Sequence, residues 1–536
     1  SNDYGQRFCP MARKVQLMPE FRFLNLGEDV IAASLKEVQP DTWLIYPTER
    51  SCREALKAFQ QNWQPLNAEF LSMEDFKCRL IYSDQVRLQD EKRLVCLYQA
   101  MTTEDKAVYH IDKYPDLIEW GQHFFQFLEE LADECIDAEQ LLKRMHNNEF
   151  SYQDWQLENY TQLLKIREQY KAFITAKGYT DAIFDNDITN LHLPSEVKRF
   201  VFVNQFYYTG MEKQIISQLE TLHRKVIICF QGNEDWLDKD TLKSRDFTLD
   251  EAFPDSVLPF TLQAFQSSNL WQMALGFLDR HSVKSTGSII DHFIIDAGFV
   301  QQPYHKVFPK EVFQYSEPLP VHNTRLFHFF QIMAVGLDNL IRDNGKKLIK
   351  LDWLLQAIGM EGFVSYFRPD WNPVQIDAFI GFVCKFSEKD ILYLDVHLDV
   401  MHMVFQDGKE AECENLLAEI ISLLERLSGI CDIRGFLSLI DSETGIYPER
   451  LLSEEEKTGS NLLESWYEAL ANYLAMDELA LVEDWQTLYP NSEISAGIFD
   501  LFHSFVKPRT YQYNCIQSEN PAAVITNLMD TRNLQA

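Results

Sequence analysis

Apolar residues recur along this chain with two periods, and the changes between them mark its elements. Arg22 to Leu26 and Thr42 to Pro47 are short apolar runs that predict buried strands, and the stretch from about Glu28 to Val38 between them has helical spacing. From Ser72 the period becomes helical. Ser72-Met73-Glu74-Asp75 resembles a capping box, in which a hydroxyl and an acid three residues on satisfy each other's free backbone amides. Leu117, Trp120, Phe124, Phe127, Leu128, Leu131 and Cys135 then recur three and four residues apart. Glu119, Gln122, Gln126, Glu129 and Asp133 fall on the other faces, so this helix must bury one side against a neighbour.

Strand signals return at Arg199 to Asn204 and Lys225 to Phe230, on either side of a helical segment at Met211 to Leu222. Two strand–helix–strand units predict a parallel sheet, with the helical block of about 70–190 inserted between two parts of it. A second strand-bearing region begins near Pro259 and includes Ser288 to Asp296. After about residue 325 the helical period dominates again. Cys413 to Leu427 is its most amphipathic stretch, and an apolar strand at Ala522 to Thr526 lies near the C-terminus. The sequence shows no internal repeat and no low-complexity tract.

Length and charge narrow this picture. A chain of 536 residues exceeds what one core spans, so two to four domains are expected. With 46% hydrophobic residues and only 20 Gly and 19 Pro, it reads as folded rather than as linker or collagen. Lys plus Arg number 49 against 81 Asp plus Glu, a formal charge of −32. That disfavours nucleic-acid binding by the whole surface and confines any such contact to local basic clusters. None of the ten cysteines has the spacing of a zinc or redox pair. With no secretory leader to be read, they are expected to be reduced thiols of a cytoplasmic protein. No apolar run reaches the roughly 18 to 20 residues of a membrane span. Ser1-Asn2 opens the chain without a methionine, is read as a remnant of expression and stays outside the fold reasoning.

Sites for common chemistries are missing. A phosphate-binding P-loop needs glycines, a Lys for the outer phosphates and a hydroxyl for magnesium. The only Gly-Lys pairs, Gly345-Lys346 and Gly408-Lys409, lack both the upstream Gly and the following hydroxyl. After the first strand the chain reads Leu26-Gly27-Glu28-Asp29, which would set carboxylates against a triphosphate. The strand at Arg199 to Val203 ends in Asn204-Gln205, amides where an ATPase needs acids to hold magnesium and orient water. Asp395, His397, Asp399 and His402 lack a standard zinc spacing and read as solvated polar residues. Pro40-Asp41 followed by Asp75-Phe76-Lys77 imitates a magnesium-nuclease signature, but Asp41 precedes its strand and Asp75 starts a helix.

The order of several segments is nevertheless similar to a known pattern. Trp43-Leu44-Ile45-Tyr46-Pro47-Thr48-Glu49-Arg50, Phe70 to Phe76, Glu119-Trp120-Gly121, and Phe202-Val203-Asn204-Gln205-Phe206 with Glu212 resemble the N-terminal part of AddB-type subunits. Those subunits belong to bacterial helicase-exonuclease complexes of double-strand break repair and recombination. The form most resembled is the Bacteroidetes-like one, whose superfamily 1 helicase region is inactivated. Ala522 to Leu534, with Asp530-Thr531-Arg532, is similar to the family's last strand and turn, although Asp530 stands where the family has Glu.

The resemblance implies a UvrD-like α/β layout of two RecA-like parallel-sheet domains, each with a large α-helical insertion. The first domain would span 1–65 and 190–258 with its insertion at 66–189; the second would span 259–345 and 500–536 with its insertion at 346–499. Gly27, Glu28, Asn204 and Gln205 would mark a degenerate nucleotide site. Thr48 and Arg50 would occupy the place of a motif that touches single-stranded DNA, and Asp530, Thr531 and Arg532 that of a motif coupling DNA to nucleotide. Read from the residues alone, Thr48 equally caps the next helix and Arg50 is solvated. Lys346, Lys347 and Lys350 form a local basic run and Lys507 with Arg509 a smaller one, the places on so acidic a chain where DNA backbone contact is expected. The family's nuclease domain of the PD-(D/E)XK type would follow Ala536, so this chain is expected to lack nuclease as well as ATPase activity and to need no cofactor. The expected partners are an AddA-type helicase-nuclease subunit and single-stranded DNA, with no membrane. The rival reading is an acidic protein–protein scaffold with no DNA role.

Overall fold

The structure is a computed structural model that describes residues 19–61, 68–81, 83–147, 149, 151–184, 188, 191–245, 272, 293–294, 313–315, 318–343, 346–388, 392–395, 411–442, 445–512 and 523–526. Its first strands are β1 (Glu20–Leu24), β2 (Thr42–Tyr46), β3 (Ala68–Ser72), β4 (Val86–Arg87), β5 (Tyr179–Thr180), β6 (Arg199–Val203) and β7 (Lys225–Gln231). Five of them form one parallel sheet in the order β1-β7-β6-β2-β3, while β4 and β5 pair only with each other. Every residue of β2 and β6 is buried, as strands covered on both faces require.

Alternation along these strands builds two cores. Trp43, Ile45, Phe200, Phe202, Val226 and Ile228 face one side, where α3 (Met73–Leu80) contributes Phe76 and α9 (Gly210–Thr221) contributes Ile215 and Leu219. Leu44, Tyr46, Val201, Val203, Ile227 and Cys229 face the other, under Val30 and Ile31 of α1 (Val30–Leu35) and Cys52 and Ala55 of α2 (Glu49–Gln61). The helices that follow β1 and β2 thus cover one face, and those that follow β3 and β6 cover the other. The chain winds outward along the sheet and then back, a doubly wound arrangement.

Between β3 and β6 the chain makes the expected helical excursion. Its members are α4 (Glu91–Ala100), α5 (Thr103–Val108), α6 (Tyr114–Asp133), α7 (Ala138–His146) and α8 (Asp154–Ala176). The predicted helix at 117–135 is α6, with Leu117, Phe124, Leu128 and Leu131 buried; Cys135 lies past its end with φ 54°. Arg93 binds this excursion together. Its Nε and Nη2 reach the two oxygens of the fully buried Asp181 at 2.7 and 2.9 Å, Tyr170 donates to the same carboxylate at 2.7 Å, and the guanidinium lies 4.0 Å from the Phe125 ring centroid.

A second helical block spans 319–512, wider than the expected 346–499. Leu319–Pro320 pairs antiparallel with Thr510–Tyr511, so the block begins and ends at one place, and the helices Arg325–Asp338 and Ile494–Val506 pack together just inside that base. The predicted helix at 413–427 is seen at Ala411–Leu427 with its leucine and isoleucine face buried. Outside the base, Phe293–Ile294, Ala523–Thr526 and Phe313–Tyr315 form a three-stranded parallel sheet with the last strand in the middle. The first two of these fall in strands the sequence marked, at Ser288 to Asp296 and Ala522 to Thr526, and the third was not marked; as described all are two to four residues long and do not amount to a second RecA-like domain.

The two helical blocks share a single hydrophobic core. Polar bonds cross it as well: Gln99 donates to the Leu481 carbonyl at 2.7 Å and accepts from the Glu483 amide at 3.2 Å, Tyr179 donates to the Leu479 carbonyl at 2.9 Å, and Lys177 pairs with Glu483 at 2.8 Å. No described helix is long and apolar enough to cross a membrane.

Candidate functional site

In a parallel α/β sheet the loops that follow the strands gather along one edge, and ligands bind where connections leave in opposite directions. Here that edge collects residues 25–29 after β1, 232–236 after β7, 204–209 after β6, 47–50 after β2 and the start of α3 after β3. It therefore brings together Gly27, Glu28, Asn204, Gln205, Thr48 and Arg50.

The turn between β1 and α1 is built to hold a donor. Only residues 25–29 separate Leu24 from Val30, too few for a P-loop of about eight residues. The Glu28 amide closes a tight turn on the Asn25 carbonyl at 2.9 Å. The carbonyls of Asn25, Leu26 and Glu28 then accept from the side-chain amide of Gln231 at 3.3, 3.1 and 3.0 Å. A phosphate loop presents the opposite dipole, with N–H groups turned inward. Asp29 caps α1 by accepting from the Ala32 amide at 3.1 Å, so a carboxylate already stands at that helix start. A Cβ on Gly27 would meet nothing within 4 Å, so no close approach requires glycine there.

Asn204 ties the strand end to the same cluster. It is buried at φ 50°, a conformation Asn tolerates, and its side-chain carbonyl accepts from the Gln231 amide at 2.9 Å while its own amide donates to the Cys229 carbonyl at 2.7 Å. Gln205 turns away and donates to Glu212 at 3.0 Å. Glu212 is the capping-box acid of α9 and accepts from the Thr209 amide at 3.0 Å; burial raises its carboxyl above the ordinary range, opposed by that bond and by Lys77. The residues expected at a degenerate nucleotide site are thus neighbours, but their polar atoms serve the fold.

Other expected contacts are placed differently. Thr48 caps α2, its hydroxyl accepting from the Ser51 amide at 3.2 Å, and Arg50 is half-buried in the first turn of that helix. The basic run at 346–350 is a strand, the middle member of a three-stranded antiparallel sheet with Ile341–Asp343 and Tyr393–Asp395. Lys347 donates to Ser428 at 2.8 Å and Lys350 to Asn339 at 3.0 Å; an odd spacing in a strand puts them on opposite faces, so they make no common patch. Lys507 is exposed, but Arg509 points inward with Nε and Nη2 buried. Asp530, Thr531 and Arg532, and His397, Asp399 and His402 of the metal pattern, lie outside the described residues; Asp395 is seen only as strand backbone.

The nuclease-like pattern fails on distance. Asp41 precedes the start of β2 and Asp75 follows the end of β3, and because Thr42 lies beside Ala68 and Tyr46 beside Ser72, the two acids stand at opposite ends of the sheet. Strand rise alone separates them by about 16 Å, too far to share one ion. Lys77 instead reaches Glu74 at 3.2 Å and Asp133 at 3.5 Å. The Ser72–Asp75 cap is also only half of the predicted box: the Asp75 amide donates to the Ser72 hydroxyl at 3.1 Å, but the Asp75 carboxylate accepts from that hydroxyl at 2.7 Å rather than from the Ser72 amide.

Gln231 is the residue of this edge that the sequence does not single out. Its signal was local and faint, the first polar residue after the apolar Val226 to Phe230, directly before Gly232. No protein-family model matches the chain, and a search among curated proteins finds no match.

Proposed function

We propose that this chain is a catalytically inactive, helicase-like scaffold from the N-terminal part of an AddB-type recombination subunit. It holds a partner AddA-type helicase-nuclease and guides single-stranded DNA. The doubly wound parallel sheet and the gathering of Gly27, Asn204 and Thr48 on its carboxyl edge support a RecA-like origin, since that edge is where such folds bind nucleotide. The strands at 293–294, 313–315 and 523–526 are the pieces a second RecA-like sheet would use.

One observation carries the inactive part of this reading: the Gln231 amide is held by three carbonyls of the β1–α1 turn. A triphosphate would need inward N–H groups and a cation there, and the turn offers carbonyl oxygens, Glu28 and Asp29. The role is then positional. The partner performs ATP-driven transport and cleavage, and this chain provides a rigid frame.

Binding of a labelled single strand across a salt series tests the DNA role. Affinity that falls steeply with salt supports it. No binding at low salt removes that role and leaves the second reading, an acidic protein–protein scaffold. That alternative is favoured by the internal hydrogen bonds of Lys347 and Lys350 and the burial of Arg509 Nε and Nη2, which take three of the expected phosphate contacts out of a common surface.

A further inference from the structure

The two helical blocks meet at an unusual polar junction. Glu91 opens α4, is 7% exposed, and its Oε2 has no hydrogen-bond partner. In the segment after helix Ile494–Val506, the Nε and Nη2 of Arg509 are buried and also without hydrogen-bond partners; Nη2 lies 4.0 Å from Oδ2 of Asp90, the residue before Glu91, an ion pair beyond hydrogen-bond reach. Buried orphan groups of this kind cost free energy, and a fold rarely keeps them without a use.

We propose that Glu91 and Arg509 form a proton-controlled latch between the two helical blocks. With the Glu91 carboxyl protonated, a neutral acid sits buried at the junction in the arrangement seen. When its proton leaves to solvent, a buried carboxylate faces a guanidinium with two free N–H groups, and a small shift of Arg509 toward α4 forms the charge-assisted pair. Arg509 is placed to transmit that shift: its backbone carbonyl accepts from Val321 at 2.9 Å, within the strand pairing that closes the base of the second block.

The charged and titratable groups facing Glu91 agree with this division. Burial pushes its carboxyl up to about 7; Asp90 adds to the rise, while Arg509 and Lys92 oppose it. Lys92 is drawn off to Asn472 at 3.1 Å and Arg93 to Asp181, leaving Arg509 as the cation without a hydrogen-bonded partner at the junction. From α6 the fully buried Tyr114 faces the same place, with its own ionisation pushed far above this range by burial.

Hydrogen–deuterium exchange of the full chain, corrected for the intrinsic pH dependence of exchange, reads the latch directly. Between about pH 6 and pH 8, protection of peptides covering 88–100 and 506–512 is expected to fall about tenfold with a one-proton midpoint near 7. Glu91→Gln should abolish the change while keeping the protection of the acid form. Arg509→Gln should remove the high-pH arrangement and leave those peptides less protected above the midpoint. A flat wild-type profile overturns the proposal whether or not either variant folds. So does a Glu91→Gln profile that retains the wild-type midpoint.

Discussion

The backbone amide of Gln231 donates to the side-chain carbonyl of Asn204 at 2.9 Å, and the Gln231 side chain reaches on to three carbonyls of the turn after β1. One residue at the end of a central strand thereby locks the ends of two others. The side-chain amides of Asn204 and Gln231 are neutral, so this edge of the sheet is occupied by self-complementary dipoles.

Replacing Gln231 should therefore loosen the fold without restoring chemistry. Gln231→Ala leaves the carbonyls of Asn25, Leu26 and Glu28 without their shared donor, although water reaches this exposed side of the turn. A loss of about 1 to 2 kcal/mol is expected in urea unfolding. Addition of magnesium and ATP should leave the midpoint of the variant unchanged. A stabilisation that rises with nucleotide concentration would contradict the account.

Breaking the Arg93–Asp181 pair should be far costlier. Asp181 is fully buried and takes bonds from Arg93, Tyr170 and the Ile183 amide. Asp181→Ala strands a buried guanidinium and should destabilise by roughly 3 to 5 kcal/mol. Loss of α4 and α8 protection in hydrogen exchange would accompany it, and a cost near zero would show that the pair is not structural.

Much of this was readable in the sequence, and the misses have physical causes. Runs such as Thr42 to Tyr46 and Arg199 to Val203 announce buried parallel strands because both faces are covered. The first strand came out two residues early, at Glu20–Leu24, because the apolar Leu26 lies 43% exposed in the turn rather than in the strand. The helix expected over 28–38 is shorter, Val30–Leu35, because Asp29 caps it. Apolar faces of the helices were visible, but which block each face meets was not: the shared core joins residues three hundred positions apart, as Tyr179 with Leu479 illustrates. The Gln231 cluster was hidden for the same reason.

The docking of α9 against the end of α6 gives a steric prediction. A Cβ on Gly210 would come within 2.6 Å of the Glu134 backbone carbonyl oxygen, and Tyr207 donates to the Glu134 side chain at 2.5 Å beside it. Gly210→Ala should push the helical block off the sheet and cost about 1 to 3 kcal/mol. Thermal unfolding measures it. An unchanged midpoint would mean that this contact is soft.

Stability should fall as pH rises across the range set by Glu91. Its carboxyl sits near 7 when folded against an ordinary 4.5, so the folded chain holds this proton more tightly than the unfolded one. The contribution is complete below about pH 4.5 and is lost as pH rises through 7, amounting to at most about 3 kcal/mol. Glu220, raised to about 7 by burial, slopes the same way. Asp105 acts in the other direction and at lower pH: burial pushes it up, but bonds from Lys165 and Thr102 outweigh that and hold it well below the usual range. Its stabilising share is present above the ordinary carboxylate value and lost on acidification. Urea unfolding from about pH 5 to pH 8 should show the decline, and Glu91→Gln should roughly halve it, leaving the share of Glu220. An identical slope in the variant would remove Glu91 as its source.

The most direct test of the central claim is equilibrium binding of a fluorescent ATP analogue with magnesium to the purified chain, read together with phosphate release. The account predicts no saturable binding and no release above background, for the wild type and for Asn204→Asp alike. Saturable, magnesium-dependent binding with phosphate release, lost when Asn204 or Asp29 is altered, would contradict it.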